Sequence, residues 1–307
     1  MRTGVSTLPR HHIIRPMLNR TMRTISAATT AVAVTGLVLS GCSTMISSAT
    51  SRMTDNLASA ILNQNDPETV RDGAPAYLLM MDSFVEGSPD DSEILQAAAR
   101  LYSMYGAVFP DDLDRAKRLT ARARAYGQRA LCAENNDTCN LAALDFDEYD
   151  KAMTELDDGD VPALFVYSIS WLAYIRARTD DWNALADLPK AQSAVNRLYE
   201  LDPEFERGTI HLYLGILATL RPPALGGRPE EAQVHFEKAI ELSGSKDLRV
   251  QVEYARSYAR MMYDRELHDR LLTQVIEADP IEDGLTLFNI IAQRDAHELL
   301  ATADDYF

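Results

Sequence analysis

Apolar residues recur at helical spacing through almost the whole chain beyond residue 66, and no run alternates apolar with polar as a half-buried strand does. Ala232, Phe236, Ala239 and Ile240 share one helical face, as do Val252, Ala255, Tyr258, Ala259 and Met262. Ala191, Ala194, Val195 and Leu198 do the same. A period of 3.6 cannot lie still in a sheet, so the expected fold class is all-α. Two segments, 164–175 and 210–220, are apolar nearly all round. Such a helix is buried on several sides, yet both are too short to span a bilayer, which takes ~20 residues. They are expected to form the central layer, with Pro162 opening the first and Pro222-Pro223 closing the second.

The helices are punctuated in a recurring way. Asp202-Pro203 and Asp279-Pro280 close two of them, and Ser88-Pro89 and Gly244 mark two further stops. Proline disfavours α geometry in its predecessor, and glycine supplies a left-handed cap. Successive stops at 203, 244 and 280 lie 41 and 36 residues apart, near the ~34-residue tetratricopeptide (TPR) period. Ala232, Phe236 and Ala239 match three slots of the second TPR helix, with Gly244 in the proline slot. Looser fits occur at Ala191/Val195/Leu198/Pro203, Tyr77/Met81/Phe84/Pro89 and His268/Leu272/Val275/Pro280. The expectation is a TPR-like helix-hairpin repeat domain over 66–307, although the same spacings describe any amphipathic helix.

Ahead of that domain stands an export signal. Arg20 and Arg23 precede an uncharged stretch from Ile25 to Leu39, followed by Leu39-Ser40-Gly41-Cys42. A basic end, a short apolar core and this last tetrapeptide fit a lipoprotein signal peptide over 1–41, with Cys42 the lipidated residue. Met17 and Met22 are alternative starts, since residues 1–16 add nothing such a signal requires. Acyl chains on Cys42 would hold the protein at a membrane at ~0.8 kcal/mol per buried methylene. Ser43, rather than Asp, follows the cysteine and points to the outer membrane. Residues 42–65 are Ser/Thr/Asn/Ala-rich and read as a tether, with Met53, Leu57 and Ile61 spaced for a short helix within it.

Charge narrows the function classes. The net charge is −16, but residues 1–41 carry five arginines and no acid. Residues 42–307 therefore hold 25 basic and 46 acidic residues, a net of −21. A body that acidic is repelled by phosphate backbones, so nucleic acid is a poor partner.

Cys132 and Cys139 are the only other cysteines. Outside the cytoplasm two neighbouring thiols favour a disulfide over a metal site, with two unpaired thiols as the alternative. No His-Glu-x-x-His, Gly-x-Ser-x-Gly or nucleotide-binding glycine loop occurs, so neither an enzyme, a resident metal nor a cofactor is expected. The acidic runs 111–114 and 157–160 read as solvated helix starts rather than calcium loops, because no twelfth-position Glu follows. Phe165, Tyr167, Trp171, Tyr174, Trp182 and Tyr213 form the one candidate lining for a ligand cavity, against the alternative that they simply fill a core.

Several short words of sequence resemble a known family. They include Pro75-Ala76-Tyr77-Leu78-Leu79, Ala97-Ala98-Ala99 and Arg115-Ala116-Lys117-Arg118-Leu119. Others are 124–132, Pro223-Ala224-Leu225-Gly226-Gly227, Gln293-Arg294-Asp295-Ala296 and Ala303-Asp304-Asp305-Tyr306-Phe307. Their order and coverage are similar to the TatT family, lipoproteins associated with tripartite ATP-independent periplasmic (TRAP) transporters. The resemblance implies a TPR-like periplasmic lipoprotein that partners a ligand-binding P subunit. It also implies a homo-oligomer, such as a trimer, with an internal channel or cleft for a small hydrophobic ligand. It carries no catalytic residues. The rival expectation is a protein–protein scaffold lipoprotein of envelope assembly, with no small ligand.

Overall fold

The computed structural model describes Met53 and residues 56–307. The signal peptide, Cys42 and most of the tether lie outside the described residues. Among the described residues every regular element is helical, and no helix is long and apolar enough to cross a membrane.

A helical segment over 56–62 leads into α1 (Pro67–Gly87), α2 (Ser92–Val108) and α3 (Leu113–Glu134). Each of these starts at an aspartate whose carboxylate accepts a backbone N–H of the first turn: Asp66, Asp91 and Asp112. Such caps satisfy donors that a helix start would otherwise leave unpaired. Asp112 belongs to the acidic run at 111–114, and the run at 157–160 forms a capping box between Asp157 and Asp160. Both acidic clusters thus serve as helix starts. Packing onto the body begins upstream of residue 66, because Ile61 is buried and Asn63 exchanges hydrogen bonds with Asp283 and Gly284.

Cys132 in the last turn of α3 is bonded to Cys139, just past a 3₁₀ turn at Asn136–Thr138, with Cα atoms 4.5 Å apart. The chain continues through α4 (Phe146–Thr154), α5 (Val161–Arg176), α6 (Trp182–Ala186) and α7 (Leu188–Leu201). Then come α8 (Phe205–Ala218), α9 (Pro229–Leu242) and α10 (Leu248–Glu253). A π-helical turn, Tyr254–Ala259, continues α10, and α11 (Arg265–Glu277), α12 (Thr286–Ala301) and α13 (Ala303–Tyr306) complete the chain. Successive helices pack on each other, most closely α2 with α3 and α8 with α9.

Two apolar cores result. The first joins α1 through α7, with Leu95, Leu131, Leu164 and Leu198 fully buried. The second joins α9 through α12 around Phe236, Leu248, Leu272 and Ala296. Helix α8 belongs to both, turning Ile210, Leu214 and Leu217 to the first core and Leu212 and Ala218 to the second. Helix α12 is divided likewise, with Leu287 and Ile291 on one side and Ala292, Ala296 and Leu299 on the other. This double duty explains why 210–220 lacks a polar face: solvent reaches little of it. Helix α5 lacks one for another reason, since α2, α3 and α7 all pack against it. Gly127 permits the α3–α5 approach, because a Cβ there would run into Ser170 Oγ and lie 3.1 Å from the Val166 carbonyl oxygen.

Helix α8 opens on three consecutive left-handed residues, Glu206 (φ 53°), Arg207 (φ 55°) and Gly208 (φ 84°). For the two L residues this conformation costs about 1–2 kcal/mol each. Ion pairs hold both: Glu206 to Arg100 at 2.7 Å and Arg207 to Glu282 at 3.3 Å.

Candidate functional site

Helix α5 carries four of the six candidate aromatics. Successive turns place Tyr167, Trp171 and Tyr174 along a stripe facing α3, α4 and α7, and Phe165 on another side. Tyr167 and Trp171 are buried and Tyr174 is half-buried.

The buried hydroxyls are mutually satisfied, with Tyr149 Oη 3.2 Å from Tyr167 Oη. Burial, reinforced by the neighbouring hydroxyl, pushes Tyr149 far above the ordinary tyrosine range. Burial raises Tyr167 as well. Neither is suited to act as a base or nucleophile near neutral pH. Trp171 meets both rings edge-on, its centroid 6.0 Å from Tyr149 and 5.3 Å from Tyr167. Its indole N–H donates to Asp187 Oδ2 at 3.3 Å, and Arg124 Nη2 donates to the same oxygen at 2.9 Å. The Arg124 guanidinium lies 4.6 Å from the ring centroids of both Trp171 and Tyr174, and Arg178 covers Tyr174 at 3.8 Å. Aromatic faces attract these cations, and the cations in turn seal the stripe from solvent.

The other candidates stand elsewhere. Phe165 packs edge-on against Phe205 at 5.3 Å, with Arg100 4.9 Å above its ring. Trp182 is 84% exposed on α6 and joins none of these clusters. Tyr213 on α8 is half-buried, and burial is the largest influence raising its hydroxyl. Arg249 and Arg176 act against that shift, while Asp247 and Glu253 add to it. The Tyr213 ring packs against the first core.

A pair of histidines adds a feature that sequence spacing does not reveal. His211 on α8 and His235 on α9 approach with their Nδ1 atoms 2.9 Å apart, and the Tyr199 ring stands edge-on to both. Burial, with the neighbouring imidazole and Lys238 contributing, pushes His211 down to about 4. Burial lowers His235 as well. The pair is therefore neutral at pH 7, one ring donating N–H to the other. Twenty-four residues separate them, so no helical-spacing test could pair them. Arg124 and Asp187 were equally hidden, because nothing local marks which arginine will meet which aspartate. Among the described residues no cluster of three or more His, Cys, Asp or Glu could hold a metal ion.

In these arrangements burial raises the Tyr149 and Tyr167 hydroxyls and lowers both imidazoles, and Arg124 is paired with Asp187. The family model of the TRAP transporter T-component matches residues 63–307, essentially the whole described helical body. No curated protein matches the chain.

Proposed function

Because the chain belongs to the TRAP transporter T-component family, we propose that it is a non-enzymatic, lipid-anchored accessory protein of the periplasm that docks a substrate-binding P subunit. The observation that carries this reading is the extent of the match, which begins at residue 63 and runs to the C-terminus. The anchor is Cys42, behind the signal peptide 1–41, with the outer membrane as its site. A small hydrophobic ligand would pass beside Tyr213, the half-buried candidate on α8. A homo-oligomer, for instance a trimer, and a TPR-like repeat architecture complete the reading.

A specific observation favours the scaffold alternative. Phe165, Tyr167 and Trp171 are at most 4% exposed and are closely packed by named neighbours, so these three offer a ligand no wall. Affinity purification from envelope extract, with native mass spectrometry of the eluate, separates the two. Recovery of a TRAP P subunit together with a small apolar adduct supports the transport role. Recovery of envelope-assembly proteins, with neither P subunit nor adduct, overturns it in favour of the scaffold. The anchor is tested separately: radiolabelled palmitate should mark the wild type and leave Cys42→Ala unlabelled, and a labelled variant would refute lipidation at Cys42.

A further inference from the structure

Between the end of α8 and the π-helical turn Tyr254–Ala259 lies an open recess of about 380 Å³. That volume falls within the ~300–1,000 Å³ typical of small-molecule sites. Pro222, Pro223, Met261 and the Tyr306 ring supply its apolar wall, Thr219 and Ser257 its hydroxyls, and Arg256 and Arg260 its charge. π-helical turns are uncommon and concentrate at functional sites, which directs attention to this one.

The two arginines of the recess are not equivalent. Arg256 is already neutralised by Glu253 on one side and by Asp295 at 2.9 Å on the other. Arg260 meets no carboxylate among the described residues. Its Nη2 reaches only the Thr302 hydroxyl at 3.5 Å, and its guanidinium lies 4.8 Å from the Tyr306 ring centroid. Its Nε is buried with no acceptor at all. Arg71 and Arg197 share that orphan Nε, but their terminal nitrogens are engaged by Glu68 and Glu200, and neither lines the recess. In a body with a net charge of −21, an arginine left without an acid beside a cavity stands available to an anion.

We propose that this recess binds a small monocarboxylate with an apolar body, its carboxylate on the edge of the Arg260 guanidinium and its body against Pro222, Pro223 and Met261. Tyr306 holds the guanidinium in place, since its ring covers one face and its hydroxyl donates to the Arg260 carbonyl at 3.3 Å. The terminal guanidinium nitrogens carry N–H donors of the kind a carboxylate accepts from. A phosphate or a dicarboxylate fits less well, because a single uncommitted cation would leave the second charge unpaired. Tyr213 does not line this site, and the proposal does not depend on the transport role.

Calorimetric titration of the full chain in detergent with hexanoate, and with uncharged hexanamide of the same shape, tests the assignment. Hexanoate should bind saturably and hexanamide at least ten-fold more weakly. Arg260→Gln should abolish that preference, and Arg260→Lys should restore part of it. Met261→Trp keeps the arginine but fills the recess, and should remove hexanoate binding while leaving the helical circular dichroism unchanged. Trp182→Ala, at an exposed position on α6, should leave hexanoate affinity unaltered. The proposal is overturned if hexanoate shows no saturable binding, if hexanamide binds equally well, or if Met261→Trp binds hexanoate as the wild type does. That last variant decides the matter even where Arg260→Gln fails to fold.

Discussion

Replacing Trp171 with alanine removes a side chain that is 2% exposed and wedged between Tyr149, Tyr167 and Arg124. A buried tryptophan truncated to alanine costs about 3–5 kcal/mol, the spread reflecting how far the site collapses. Collapse is restricted here because Tyr149 and Tyr167 are tied to each other at 3.2 Å and cannot both swing into the void. No surcharge for an orphaned charge applies, since Asp187 loses the indole N–H but keeps Arg124 at 2.9 Å. The upper half of the range, about 4–5 kcal/mol, is therefore the expected loss. For a body of this size, each kcal/mol moves the melting temperature by roughly 2–4 °C, so melting should fall by at least 8 °C. Urea denaturation measures the loss directly, with an unchanged slope showing that the cooperative unit is intact. Trp182→Ala is the internal control: its ring is 84% exposed, and the change should stay within about 0.5 kcal/mol. A loss below ~1 kcal/mol at Trp171 would refute close packing around α5 and return that helix to the list of ligand walls.

Gly127→Ala should destabilise by about 1–3 kcal/mol, because its methyl meets Ser170 Oγ and presses on the backbone of α5. Adding Ser170→Ala should recover part of that loss, and chemical denaturation showing no cost for the single variant would refute the close helix contact. The histidine pair predicts a pH dependence whose sign follows from His211 lying at about 4 when folded, against 6.5 for the free side chain. Between those values the unfolded chain binds the additional proton, so the neutral pair's contribution is complete above pH 6.5 and is lost as pH falls towards 4. Melting temperatures across pH 4–7 should show this slope, and His211→Gln should flatten it; an unchanged slope in the variant would place the titration elsewhere.

Much of the fold follows from local sequence. The helical period, the aspartates that cap α1, α2 and α3, and the Asp-Pro stops after α7 and α11 act over a few residues and depend on backbone sterics alone. The apolar circumference of 164–175 and 210–220 announced burial on several sides, since no helix keeps such a surface in water. What it could not announce was the cause, which is three packed neighbours for α5 and two separate cores for α8. The six candidate aromatics show the same division. All were visible as a list, but only packing put Tyr167, Trp171 and Tyr174 in one stripe and left Trp182 in solvent. The His211–His235 contact, the carboxylate shared by Trp171 and Arg124, and the Arg260 Nε left without an acceptor also came from tertiary structure. The reason is physical: a backbone preference is set by a residue and its immediate neighbours. A side chain's partner is set by whichever distant segment the core brings against it, and no local spacing records that choice.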